Sequence, residues 1–352
     1  MSLCRELCRR KNIGAQNKPN VECTPVVMLV SVIVPNYNHA IYLKARLDSI
    51  LTQIYQNIEL IILDDASTDD SRTIISEYSE HPKVSTIVLN EENSGSVFAQ
   101  WNRGIQLATG DIIWIAESDD VCEPSFLTEV VTQFLESDNT VIAYVQSVSF
   151  DNNALLDRSF AWKMVNRMDG VTWIKQHMLG SCALINASSA IFRKSAYLSV
   201  TDTYLTYKQC GDWALWVEIA SRGEVVISGK YLNYFRRHSA NTTSQNWKNG
   251  LYYIEGADII KNIIKTYSLP ENMIRSALTK ILLLLESERN IYSRQLYQQI
   301  LEQLKNISPR LVQSIYAKIL WNRKKEKFKK IVRKTLQYSD GSVSGTDTSG
   351  EG

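Results

Sequence analysis

Two aspartates side by side, Asp119 and Asp120, close the apolar run Asp111-Ile112-Ile113-Trp114-Ile115-Ala116 after Glu117 and Ser118. Adjacent carboxylates repel each other and lose hydration at the end of such a run, so a cation is expected to compensate them. Mg²⁺ or Mn²⁺ suits this, since such ions prefer oxygen ligands and commonly take one or two carboxylates with phosphate and water. The plainer alternative is an exposed acidic turn. A second cluster, Asp64-Asp65-Ala66-Ser67-Thr68-Asp69, follows another apolar run. A carboxylate there can accept hydrogen bonds from a base N–H or a ribose hydroxyl. Ser67 or Thr68 can equally cap the next helix, and both readings hold together.

The elements that must position these groups alternate. Val30-Ser31-Val32-Ile33-Val34 is β-branched and ends at Pro35, and Ile58 to Leu63 ends at Asp64. Val84 to Leu89 and Asp111 to Ala116 complete four predicted strands. Between them Leu43, Leu47, Ile50 and Ile54 recur at helical spacing, Thr68-Asp69-Asp70 opens a second helix, and Ser96 to Ala108 forms a third, closed by Gly110. Pro124 sits in the first turn of a fourth. Strand–helix alternation at this pitch predicts a parallel, doubly wound sheet, with ligands beyond the carboxyl ends of its strands. Asn36-Tyr37-Asn38, Asp64-Asp65 and Asp119-Asp120 should then meet at one rim. Later strands are expected at Val141 to Phe150, Ser188 to Phe192 and Val225 to Ser228, and helices near Thr172 to Leu179 and Asp212 to Ser221. From Leu251 to about Leu336 the chain reads as helical with one break, at Pro270.

Several motifs, in order, resemble the family 2 glycosyltransferases of the GT-A fold. They are Val32-Ile33-Val34-Pro35-Asn36-Tyr37-Asn38, Leu63-Asp64-Asp65-Ala66-Ser67-Thr68-Asp69, Asn93-Ser94-Gly95, Asn102-Arg103-Gly104, Ala108-Thr109-Gly110 and Ser118-Asp119-Asp120. The resemblance is close from Ser31 to Phe126 and weaker to His238. It implies an α/β fold with a mixed, Rossmann-like sheet flanked by helices. It also implies an inverting transferase of the bacterial cell-surface polysaccharide type, with a nucleotide-diphosphate sugar donor, a UDP-sugar first, and a Mn²⁺ or Mg²⁺ cofactor. By position, Pro35, Tyr37 and Asp65 would surround base and ribose, with Asn38 in the same loop. Asp119 would serve the ribose or sugar side and share in metal binding, and Asp120 would bind the metal. The family's metal motif has two aspartates separated by one residue, and here its first position is Glu117, one methylene longer.

Downstream, Gly211-Asp212-Trp213-Ala214-Leu215-Trp216 is similar to the family's acceptor-side motif, with Gly211 where Glu is usual. Asp212 would be the general base, since a carboxylate must take the proton of the attacking hydroxyl. The structural alternative is a helix cap with Trp213 and Trp216 in the core. Arg237 and His238, after Tyr234-Phe235-Arg236, match a loop that closes over the diphosphate, where such groups stabilise developing charge. A solvated basic turn is the alternative.

Composition sets bounds on partners. The 352 residues carry 39 Lys plus Arg against 37 Asp plus Glu, so nothing global argues for nucleic acid. Cys4, Cys8, Cys23, Cys122, Cys182 and Cys210 are scattered, without zinc-knuckle spacing, and read as reduced thiols. The polar, basic first twenty residues predict no secretory signal, and the early apolar runs are too short to span a bilayer, so a cytoplasmic protein is expected. Residues 321–336 hold eight basic side chains interleaved with Phe328, Ile331, Val332 and Leu336. Such a segment is a solvated helix face or a peripheral contact with an anionic membrane, which would suit a glycan or lipid-linked glycan acceptor. The expected organisation is an N-terminal extension (1–27), a GT-A domain (28–245), a helical region (246–338) and a tail (339–352). Two rivals stand beside the transferase. A sugar-phosphate nucleotidyltransferase would need a glycine-rich phosphate loop, which Asn36-Tyr37-Asn38-His39 lacks, and Gly211 and Glu117 leave room for a non-catalytic nucleotide- or glycan-binding relative.

Overall fold

The computed structural model describes residues 27–151, 154–159, 163–238 and 247–340. Cys4, Cys8, Cys23 and most of the N-terminal and C-terminal extensions lie outside them, and Cys122, Cys182 and Cys210 are free thiols. The four apolar runs form strands β1 (Val30–Asn36), β2 (Ile58–Asp64), β3 (Val84–Leu89) and β4 (Ile112–Ile115). Helices α1 (Ala40–Leu51), α2 (Ser71–Glu77) and α3 (Val97–Leu107) alternate with them. Helix α1 stops short of Ile54, which is 65% exposed and whose amide is tied to the Pro124 carbonyl, so the apolar stripe ends at Ile50. Neither α1 nor α2 has acidic residues in its first turn. Instead Asp69 lies between them, with one carboxylate oxygen accepting from the Ala40 amide and the other from the Ser71 amide. Ser96 caps α3 by accepting from the Ala99 amide, at 3.4 Å.

The chain continues through β5 (Val121–Cys122), α4 (Phe126–Glu136), β6 (Thr140–Phe150), β7 (Leu155–Arg158) and β8 (Val165–Asp169). Then come α5 (Gly170–Trp173), running on as a π-turn over Ile174–Met178, β9 (Ala190–Arg193), α6 (Lys194–Tyr197), α7 (Gly211–Ala220) and β10 (Glu224–Arg236). The sheet runs β3-β2-β1-β4-β9-β6-β10-β5, with β7 added on β6 and β8 on β10. The first four strands are parallel, but β9 runs antiparallel to both β4 and β6, so the sheet is mixed rather than uniformly parallel. Strand β10 reaches well beyond Ser228 because register shifts around Ile227–Asn233 let it bend and keep pairing with β6 as far as Arg236.

Alternation along β1 divides the core. Val30, Val32 and Val34 face Leu43 and Leu47 of α1 and Phe126 and Val130 of α4. Ile33 faces the other way, into a cluster with Trp101 of α3 and Trp213 and Trp216 of α7. Four further helices extend that second cluster: α8 (Leu251–Tyr267), α9 (Glu271–Ser287), α10 (Arg294–Lys305) and α11 (Pro309–Asp340). Ile260, Leu282 and Ile300 are buried in the same cluster as Trp213, so these helices share a core with the sheet and do not form a separate appendage. The helical stretch breaks at Pro270 as expected, and also at Glu288–Ser293 and near Asn306, where Ser293 caps α10 by accepting from the Leu296 amide.

Candidate active site

The carboxyl ends of β1 and β2 are knitted together by polar side chains. Asn36 is buried and donates to Asp64 Oδ1 at 2.9 Å, while Asp64 Oδ2 accepts from the Ser67 amide and from Arg72 Nε, each at 3.0 Å. Asn38 takes a left-handed backbone, φ +56°, which asparagine tolerates. Its amide donates to Ser67 Oγ and its Oδ1 accepts from the Thr68 amide at 2.7 Å, so Asn38 clamps loop to loop. Pro35 lies within the buried strand, opposite Leu63, and Tyr37 stands at the rim, 46% exposed. Asp65 is buried. Its carboxylate accepts from Asn90 Nδ2, Gln100 Nε2 and the amide and hydroxyl of Ser94, all within 3.1 Å, so the β3–α3 loop fixes its orientation.

At the end of β4 the two adjacent aspartates diverge. Asp120 is fully buried. Its Oδ2 accepts from Asn186 Nδ2 at 2.8 Å and Ser188 Oγ at 2.6 Å, and its Oδ1 from the Arg236 amide at 3.0 Å. Burial and the neighbouring Asp119 charge raise its pKa, and Arg46 opposes this. Arg46 is itself fully buried, 4.8 Å from the Trp114 ring. Asp119 points the other way, to His238, with Oδ2 and Nε2 3.0 Å apart. His39, whose Nδ1 lies 2.8 Å from Ser118 Oγ, joins them. One ligand atom from each of His39, Asp119 and His238 lies within 4.8 Å of the others. Burial holds His39 below the ordinary imidazole range, which favours the neutral form a metal needs. Glu117 accepts from Trp101 Nε1 at 2.9 Å, and burial, with the Asp119 and Asp120 charges, pushes it up to about 8.

Asp212 opens α7, where its Oδ1 accepts from the Trp213 amide at 2.7 Å. Burial pushes its carboxyl up to about 6, the Glu255 charge adding to the effect. The usual Glu has no room at Gly211, because a Cβ would come within 2.6 Å of the Phe98 ring and the Tyr204 carbonyl. Glu255 of α8 holds the segment before it, accepting from the amides of Lys208, Gln209 and Cys210 at 2.8–2.9 Å. Asp212 lines two cavities. The smaller, about 180 Å³, also contains His39, Glu117, Asp119 and Asn186. The larger, about 730 Å³, is lined by Trp213, Arg237, Trp247 and Tyr252 among others. Of the residues expected at the site, Asp119, His238 and Asp212 thus converge on or beside the smaller cavity. Asp120 turns into the protein, and Arg237 lines the larger cavity, its guanidinium 5.5 Å from the Phe235 ring. His39, Asn186, Ser188 and Glu255 were not among the expected residues. Only the position of His39 just after the first strand loop marked any of them.

Residues 31–192 match the family model described as glycosyl transferase family 2. An uncharacterized glycosyltransferase of Nostoc sp. is 28% identical over 222 residues, 61% of this chain and 66% of its own length. The Escherichia coli protein named UDP-Glc:alpha-D-GlcNAc-diphosphoundecaprenol beta-1,3-glucosyltransferase WfaP is 25% identical over 236 residues, 67% of this chain and 86% of its own. The matches span less than two thirds of the length of the first curated relatives. Among solved structures, S. aureus TarS 1-349 in complex with UDP superposes with a TM-score of 0.62 at 18% identity, covering 92% of this chain and 94% of that one, which shows a shared fold. Residues 31–192 thus match the family 2 glycosyltransferases, and the fold is similar to that of TarS and the GT-A glycosyltransferases.

Proposed function

We propose that the protein is an inverting glycosyltransferase that moves a sugar from a nucleotide-diphosphate donor, a UDP-sugar first, to a hydroxyl of a glycan or lipid-linked glycan in polysaccharide synthesis. The observation that carries this reading is the place of Asp212, on the wall of both cavities. A carboxylate there can take a proton from an acceptor in the larger cavity while a donor sugar occupies the smaller. The acceptor oxygen bonds to the anomeric carbon, the bond from that carbon to the diphosphate breaks, the electron pair leaves with the diphosphate, and the proton passes to Asp212. The activity for which WfaP is named and the UDP bound to TarS support a nucleotide-sugar donor by analogy.

His39, Asp119 and His238 would hold a divalent cation. Two imidazoles with one carboxylate suit Mn²⁺ better than Mg²⁺, which favours all-oxygen sites. When bound, the ion offsets charge on the leaving diphosphate. In this reading Asp120 moves from metal ligand to support: it fixes Asn186, Ser188 and the Arg236 backbone around the ligand-bearing loop. Pro35, Tyr37 and Asp65 frame base and ribose, with Asn38 shaping that loop.

No helix among the described residues is long and apolar enough to cross a membrane. Peripheral contact of residues 321–336 with an anionic surface belongs to this proposal, and Trp321 is 70% exposed there. Sedimentation with anionic vesicles at low salt tests it, and failure to sediment removes it. The enzymatic reading is tested by calorimetric titration with UDP, GDP, dTDP and CMP, with and without Mn²⁺. Metal-dependent binding of one nucleotide is expected. Binding of none would favour a non-catalytic relative.

A further inference from the structure

One residue touches both aspartates and the ring that packs on both imidazoles. Arg236, at the end of β10, is half-buried, and its guanidinium lies over two rings, 4.6 Å from the centroid of Tyr42 and 4.4 Å from that of Phe150. Its Nε donates to the Asp119 carbonyl at 2.9 Å, and its own amide donates to Asp120 Oδ1. Tyr42, on α1, packs in turn against the imidazoles. Its ring centroid lies 5.1 Å from that of His238 and 6.0 Å from that of His39, and the two imidazoles meet edge to face at 5.4 Å. Phe150 is held beside Arg236 by the pairing of β6 with β10, and its carbonyl accepts from the Arg237 amide at 2.8 Å. A guanidinium suits this place. It is planar, so it stacks on aromatic rings while its edge donates to a carbonyl, and covering it costs less hydration than covering an ammonium. A lysine would bring the charge without the flat faces or the fixed fork.

We propose that Arg236 is a positioning residue for the cation cluster. Its guanidinium ties α1 and β6 to the turn that carries Asp119, and through the Tyr42 ring it sets where His39 and His238 stand. The inference rests on the reading of His39, Asp119 and His238 as cation ligands. It gives Arg236 a task other than phosphate contact, since the guanidinium acts on the ligands rather than on the diphosphate.

The test uses the full chain without nucleotide, with Mn²⁺ affinity read from the free-ion signal in electron paramagnetic resonance. Loss of a group that orients metal ligands lowers affinity ~10–100-fold, so Arg236→Met and Arg236→Lys should both weaken Mn²⁺ binding about tenfold or more. Tyr42→Phe keeps the ring and should bind Mn²⁺ as the wild type does, whereas Tyr42→Leu should weaken it as Arg236→Met does. Calorimetric UDP binding in EDTA should stay unchanged in every variant. The chain has four histidines, which gives a second readout without metal. The imidazole Hε1 signals of His39 and His238 should move in Arg236→Met and Tyr42→Leu, while those of His81 and His177 stay in place. Wild-type Mn²⁺ affinity in Arg236→Met, full recovery by Arg236→Lys, or unmoved His39 and His238 signals would overturn the proposal. Weaker UDP binding in EDTA with Mn²⁺ affinity intact would make Arg236 a phosphate contact instead. If Arg236→Met did not fold, the Tyr42 pair would decide by the same measures. If the wild type bound no Mn²⁺, the cation reading would fail by itself, and the imidazole signals would still decide whether Arg236 and Tyr42 order the two rings.

Discussion

Glu255 Oε2 accepts a hydrogen bond from the Cys210 amide at 2.8 Å, and so ties α8 to the residue just ahead of α7. The same carboxylate also takes the Lys208 and Gln209 amides, and Tyr207 Oη donates to Asp258 on the same helix. Asp212 is thus aimed by a helix that follows it in the chain. Glu255→Gln puts an NH₂ group against amide donors and should cost about 1–3 kcal/mol of stability. It should lower kcat at least tenfold with UDP binding unchanged, and loss of the Glu255 charge should move the acid limb of the pH–rate profile downwards. An unmoved limb would reduce Glu255 to a purely structural tie.

Asp212→Asn should lower transfer by roughly 10²–10⁴-fold, the usual share of a general base, and keep donor binding. Lost donor binding would remove the base role. In the wild type, activity should rise with pH through about 6, as the buried carboxyl ionises. The stability effect has the opposite sense. A carboxyl whose folded pKa is raised favours the native state below its unfolded pKa, and that contribution is lost as pH rises through 6. Asp212→Asn should therefore melt at a higher temperature than wild type at pH 8, with the gap narrowing towards pH 4.

Asp119 and Asp120 should separate cleanly. Asp119→Ala, and more weakly His238→Ala, should abolish Mn²⁺-dependent UDP binding with little change in Tm. Asp120→Ala leaves Asn186 and Ser188 without their acceptor and removes one of the two acidic groups, with Glu117, that act on buried Arg46, so it should lower stability by about 3–5 kcal/mol, as broken buried charge networks do. Equal loss of metal binding at unchanged Tm in both variants would restore Asp120 as a ligand.

Gly211→Glu, which reinstates the residue usual in the family, should destabilise by about 1–3 kcal/mol through overpacking against Phe98 and Tyr204. A thermal melt at wild-type temperature would show that the loop has slack.

The first four strands were legible because each is rich in β-branched and aliphatic residues and ends in polar ones; β1, β2 and β4 are buried on both faces, whereas β3, at the sheet edge, is half-exposed. Strand β9 looked much like the others, yet nothing local reveals that it runs antiparallel to β4, since direction depends on a distant crossover. The break at Glu288–Ser293 lacks proline, whereas the one near Asn306 carries its signal in Pro309, the first residue of α11. In the site, the acidic pair was visible but its division of labour was not. Ser118 and Asp119 form a turn, closed by the Asp120 amide on the Glu117 carbonyl, and partners 66 to 119 residues away decide which carboxylate faces the cavity. His39 and Glu255 act through such distant partners, which sequence spacing does not encode.

Because Asp212 precedes β10 while Glu255 and the stacked Trp247 and Tyr252 rings follow it, the groups that aim Asp212 and wall its larger cavity must match it across one splice point. A chimaera joined at Arg236 would take His39, Asp119 and Asp212 from one parent, and His238, Glu255 and the stacked Trp247 and Tyr252 rings from the other. Recombination among relatives would thus favour exchange of whole chains, or of the early sheet alone, over exchange of the terminal helices.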